Sequence, residues 1–291
     1  MTHSPLAPWR RTLTKVLVPL YLTLIFGAPA IAVTGLWFLV DHSWLRLVVA
    51  LSAPLVYSFL FCVTAGLLCL PHRKGIIAGK FPRDVGHPVY FDRRMYGLCW
   101  TSLFYFKPVY YLALTIPTLK WITFRLFGYR GQMDFTTYPD TWIRDLPLLD
   151  LGKGAYIANR ATLGTNLALP TGEIMVAPIS VGHNGLVGHL VAIACGSSLG
   201  AGSEIGACGA VGYKSTIGAN TQIAGRCVVE HGVVIGDDCS VGTNSYIGSA
   251  SRVASGAIIR PGSNLPPRSK VLGPHGGKRQ LPHLDMEADP V

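Results

Sequence analysis

Three histidines in the second half of the chain share one local setting: His183 in Val181-Gly182-His183-Asn184, His189 in Val187-Gly188-His189-Leu190, and His231 in Val229-Glu230-His231-Gly232. Each stands two places after an aliphatic residue. Imidazole titrates near neutrality, so it can take a proton from a hydroxyl or amine and hand it to a leaving group. Glu230, directly before His231, adds a carboxylate that can orient a ring. The seven cysteines include no Cys-x-x-Cys pair and no zinc spacing, and no metal is expected.

These histidines sit inside a longer regularity. From Leu151 to Val271 an aliphatic residue returns every sixth position, through Ile157, Leu163, Leu169, Met175, Val181 and onward, giving 21 hexads. The following residue is Gly or Ala in 15 of them, and the fifth place is usually small, as in Ser197, Ser203, Ser215, Cys227 and Cys239. A helix or a flat strand would scatter such a series, whereas a three-sided coil of short strands points every sixth residue inward. The stretch is expected to be a parallel β-helix of about seven coils, with Gly and Ala at the tight corners.

The pairs Val181-Gly182, Val187-Gly188, Leu199-Gly200, Ile205-Gly206, Val211-Gly212, Ile217-Gly218, Ile235-Gly236 and Val241-Gly242 resemble the repeat of the hexapeptide-repeat acyltransferases. The run Gly172-Glu173 to Pro178-Ile179-Ser180-Val181-Gly182 is similar to one in the sugar O-acetyltransferases of that family. The resemblance implies a left-handed β-helix and a homotrimer. It also implies transfer of an acetyl or longer acyl group from a CoA or carrier-protein thioester to a hydroxyl or amine.

In that family a histidine in the third place of a hexad is the general base, at a cleft between subunits. By pattern the role falls on His189, His231 or His183. His189 is taken first, then His231, with Glu230 as its orienting carboxylate. A period of 18 puts one of the three on each face of the coil. Where sugar O-acetyltransferases place their histidine, this chain has Asn166, which cannot act as a base. The acyl-CoA or acetyl-CoA co-substrate is expected to meet Arg260, Arg268 and Lys270 near the end of the repeat.

Composition separates the first half from this. With 49% hydrophobic and only 14% charged residues, part of the chain should lie in a membrane. Residues 16–40 and 47–70 carry no Asp, Glu, Lys or Arg, and each is long enough to span a bilayer core. Arg10, Arg11 and Lys15 precede the pair and Arg73, Lys74, Lys80 and Arg83 follow it. The positive-inside rule puts both termini and the β-helix in the cytoplasm, on a multi-pass inner (cytoplasmic) membrane protein. Residues 95–127 mix Trp, Tyr and Phe with Lys107, Lys120 and Arg125, and are broken by Pro108 and Pro117, which suggests interfacial or re-entrant helices.

The expected organisation is a transmembrane α-helical hairpin in 1–75, an interfacial and linker region in 76–150, the left-handed β-helix in 151–272 and a tail in 273–291. The expected activity is that of a membrane-anchored acyltransferase acting on a lipid-linked, glycan or small-molecule acceptor. Its partners would be the lipid bilayer, the acyl donor thioester and two further copies of itself, with no nucleic acid. Two alternatives are a non-enzymatic trimeric scaffold, of the kind attached to some peptide synthetases, and a γ-class carbonic anhydrase. The latter's paired histidine ligands are normally five apart, against six here.

Overall fold

The computed structural model describes residues 7–273; the tail proposed from 273 therefore lies, but for its first residue, outside the described residues. Two long helices open the chain, α1 (Pro8–Leu39) and α2 (Ser43–Cys69). Both are long and apolar enough to cross a membrane. Within α1 only Thr14, Ile25 and Pro29 are buried. Val16, Leu20, Ile31, Leu36, Leu47, Leu51 and Leu55 face outward along the pair. Apolar surface on that scale calls for apolar surroundings. Trp9 lies at one end of α1, beside Arg10, and Trp37 and Phe38 at the other. At 1.5 Å per residue Trp9 and Trp37 stand about 42 Å apart, close to a bilayer with its headgroups.

The third apolar region forms three short helices, α3 (Pro88–Tyr105), α4 (Lys107–Thr115) and α5 (Pro117–Leu126). Pro108 and Pro117 stand in the first turns of α4 and α5, where a missing N–H costs nothing. Trp100, Tyr110 and Phe124 are fully buried with Phe61, Cys62 and Ala65 from the second half of α2. Tyr105, Tyr111 and Trp121 remain exposed.

The second half is a parallel β-solenoid whose three faces each hold seven strands. Face 1 begins with β2 (Phe135–Thr137), face 2 with β3 (Trp142–Ile143) and face 3 with β4 (Leu149–Leu151). The coil therefore starts at Phe135, ahead of the boundary expected at 151: residues 135–150, assigned to a linker, form the first turn together with Leu151. Their pairing is direct, with Thr137 opposite Ile157, Ile143 opposite Leu163 and Leu151 opposite Val181. A step of eight residues between Ile143 and Leu151 hides this turn from a search at period six.

Leu169 and Met175 also depart from expectation. They keep the six-residue phase, yet Leu163 and Val181 belong to consecutive strands of the coil, and the residues between them leave it as a hairpin. Its strands β5 (Asn166–Ala168) and β6 (Glu173–Val176) pair antiparallel, and β6 also pairs with β1 (Gly79–Pro82). The insertion is 12 residues, two whole hexads, so it leaves the phase untouched.

Two places in the hexad share the work expected of the Gly and Ala position. The left-handed turn falls on the fourth residue, as at Asn184 (φ 53°), Cys208 (φ 59°), Asn220 (φ 52°) and Gly232 (φ 67°). The glycine in the second place serves close stacking: a Cβ on Gly200 would lie 2.4 Å from the carbonyl carbon of Gly218 one coil on.

A buried ion pair joins helices to coil. Asp145, fully buried and left-handed (φ 55°), accepts from Arg93 of α3 at 2.6 Å and from Thr165 at 2.7 Å. Trp100 of α3 donates its indole N–H to Ile143 O at 2.6 Å. Removing one member of such a pair strands a buried charge. Asp145→Ala is expected to destabilise the detergent-solubilised protein by about 3–5 kcal/mol in a denaturant or thermal melt. Arg11→Gln, at the exposed pair with Asp84, is expected to leave the transition where it was.

Candidate active site

Each histidine follows the last residue of a strand by two places, which puts its side chain at an edge of the solenoid. His183 lies between faces 3 and 1, His189 between faces 1 and 2, and His231 between faces 2 and 3. All three are exposed. Face 2 is thus flanked by His189 on one edge and His231 on the other, two coils apart, and His183 stands away from it.

Their hydrogen bonds differ. His183 accepts the Lys153 amide on Nδ1 at 3.1 Å, and His231 accepts the Tyr213 amide on Nδ1 at 3.3 Å. With Nδ1 accepting, the neutral ring carries its proton on Nε2 and presents a donor outward. Among the described residues no hydrogen bond engages either ring nitrogen of His189.

His231 has the fullest surroundings. Its Nε2 lies 3.9 Å from Glu230 Oε2, an ion-pair distance and too long for a hydrogen bond. The Tyr213 ring tilts over it with centroids 4.5 Å apart. Ser215, one coil before, donates to the Glu230 carbonyl at 2.7 Å and so holds the backbone of the pair. Gly212 permits this arrangement, since a Cβ there would come within 2.5 Å of His231 Nδ1. Tyr246 lies opposite Val228 in the strand register, and its phenol is held above the ordinary range by desolvation and by the Glu230 carboxylate. These neighbours were missed in the sequence, although a spacing of 18 residues carries them: Tyr213 precedes His231 by 18, and Tyr246 follows Val228 by 18.

His231 and Glu230 line a cavity of about 310 Å³ on face 2, together with Val228, Ala210, Ala192 and Asn166. Asn166 begins the inserted hairpin and is part of this cavity's lining. The outward residues of face 2 run in register as Trp142, Thr162, Ala192, Ala210, Val228 and Tyr246. From Thr162 to Val228 that floor is small and uncharged.

The basic residues expected to meet the donor divide. Arg260 and Lys270 line a second cavity, of about 570 Å³, over the last coil. Arg268 sits outside its lining, at a left-handed corner (φ 63°). Between Asp238 and Gly273 the chain holds no carboxylate residue, so the last coils are positively charged throughout. Cys227 and Cys239 are buried in the coil, their thiols pushed up by desolvation. Among the described residues no three His, Cys, Asp or Glu side chains are grouped as a metal ion would need within one subunit.

The bacterial transferase hexapeptide (six repeats) family model matches residues 214–249, the coils that carry Glu230 and His231. No curated protein sequence matches the chain significantly. Among solved structures, the chain is similar to the acetyltransferase domain of PglB from Neisseria gonorrhoeae FA1090 in complex with acetyl coenzyme A. The identity is 14%, over 50% of this chain and 63% of that one, with a TM-score of 0.15. It is also similar to the serine acetyltransferase CysE of Neisseria gonorrhoeae in complex with serine, at 16% identity over 87% of this chain and 93% of that one, with a TM-score of 0.19. The chain is a hexapeptide-repeat β-solenoid behind two long apolar helices, with weak similarity to acetyltransferases.

Proposed function

We propose that the chain is a membrane-anchored acyltransferase that moves an acyl group from a CoA or carrier-protein thioester to a hydroxyl or amine on face 2. The observation that carries this reading is the His231–Glu230 pair, among the described residues the one histidine–carboxylate pair of the solenoid, which lines a cavity on face 2 and falls in the stretch that matches the transferase family model. In acyl transfer the nucleophile adds to the thioester carbonyl and loses a proton, then the C–S bond breaks and the thiol leaves with a proton. The chemistry needs a proton acceptor beside the nucleophile and a donor for the developing oxyanion. Here the Glu230 carboxylate takes the proton and the outward Nε2–H of His231 supports the oxygen.

His189, preferred on sequence pattern, is the rival base, because both of its ring nitrogens are open. The cation-rich last coil, with Arg260 and Lys270, suits the donor's phosphates and lies about two coil spacings, or roughly 10 Å, beyond His231. A homotrimer would set face 2 or its edges against a neighbouring copy and close the cavity from the side.

Acetyl-CoA turnover by the detergent-solubilised full chain tests the assignment. Glu230→Gln and His231→Ala are each expected to lower kcat/KM by about a hundredfold or more. His189→Ala is expected to leave it within about threefold. Loss on His189→Ala alone would move the base to that edge, and no turnover with any thioester would favour the scaffold. A second check concerns ionisation. In Glu230→Gln the carboxylate's share of the upward shift at Tyr246 disappears, so its phenol should ionise at lower pH in an NMR titration of ring-labelled tyrosine.

A further inference from the structure

A third cavity, of about 340 Å³, lies between α1 and α3, lined by Leu22, Phe26, Leu98, Thr101, Ser102, Tyr105 and Phe106. Two of its three hydroxyl side chains are spent on their own helix: Thr101 donates to Gly97 O at 2.7 Å and Ser102 to Leu98 O at 2.8 Å. The wall they leave is mainly hydrocarbon and aromatic surface, to which the exposed Tyr105 adds a phenol hydroxyl. One side of it is α1, whose neighbouring Leu20, Leu24 and Phe26 are exposed along the face that calls for lipid.

An aromatic contact joins this groove to the start of face 2. Tyr105, 69% exposed, lines the groove and tilts against Trp142 with centroids 6.2 Å apart, while Phe104 packs edge-on to the same indole at 4.8 Å. Trp142 is the first outward residue of face 2, and below it Thr162, Ala192, Ala210 and Val228 pave an uncharged track to Glu230 and His231. Four strand spacings separate Trp142 from Val228, about 19 Å.

From this juxtaposition we infer that the acceptor is a lipid with an extended polar headgroup, a lipid-linked oligosaccharide, its apolar chain in the α1–α3 groove and its sugars lying down face 2. The inference rests on the His231–Glu230 reading for the place of transfer. The distance selects the class: the headgroup of an ordinary phospholipid falls well short of about 19 Å, and a free sugar has nothing to gain from the groove.

The test uses the full chain in nanodiscs, with a polyprenyl-diphosphate trisaccharide carrying a diazirine in its chain. A diazirine phosphatidylethanolamine and the free trisaccharide serve as comparisons. The trisaccharide lipid should label peptides spanning 22–26 and 98–106, and Ser102→Trp should reduce that labelling about tenfold. Acetyl transfer from acetyl-CoA to the lipid-linked trisaccharide should exceed transfer to the free trisaccharide by about tenfold or more. Ala192→Trp, an exposed change on the track, should remove that preference. Gln222→Trp, on face 1, should leave both labelling and preference unchanged. Labelling spread evenly over both long helices and indifferent to Ser102→Trp would overturn the inference, as would equal acetylation of the free trisaccharide or of phosphatidylethanolamine. Groove labelling that obeys Ser102→Trp without transfer to any acceptor would uphold the lipid site and remove the His231–Glu230 reading instead.

Discussion

The stacking of aliphatic side chains inside a three-sided coil governs this molecule. Val187, Ile205, Ile223, Val241 and Ile259 lie on one another in face 1, with parallel columns in faces 2 and 3, all nearly fully buried. Each such burial is worth about 1.5–3 kcal/mol, and a slip of one residue would turn a whole column outward. Register is therefore fixed, and with it the place of every side chain at an edge. The third residue of a hexad is carried outward past each strand, which is why three histidines of like pattern end up exposed on three edges. What distinguishes them is the coil before: the Tyr213 and Lys153 amides hold His231 and His183, and nothing comparable holds His189.

A second constraint fixes where the coil sits. Asp145 gathers Arg93 and Thr165 in a site closed to water, so α3, the first turn and the start of the inserted hairpin share one carboxylate. Charges buried in this way specify geometry more than they add stability. The consequence is a solenoid whose first turn packs beneath α3 to α5, with face 2 meeting the aromatic end of α3 at Trp142.

The coil was legible from hexad phase alone, and the two apolar helices from uncharged length. What escaped has physical reasons. The first turn steps by eight between Ile143 and Leu151 and uses Thr137 where later turns use Ile or Val. The hairpin at Leu169 and Met175 is two hexads long and therefore silent to any periodic reading. Gly in the second place announced a corner, whereas its role is to let one coil's backbone approach the next, with the turn itself made by residues such as Asn184 and Asn220. Of the candidate site, the histidines and Glu230 were visible as pattern. Tyr213, Tyr246 and the place of Asn166 in the cavity lining follow only once coils are stacked.

The central claim is that face 2, between the aromatic end of α3 and the cationic last coil, is where a thioester meets its acceptor. A structure of the full chain in lipid with a non-hydrolysable acetyl-CoA analogue tests it most directly. The analogue's acyl carbonyl should lie within hydrogen-bonding distance of His231 Nε2, with its phosphates toward Arg260 and Lys270. An analogue seated with its carbonyl at the His183 edge, away from face 2, would contradict it.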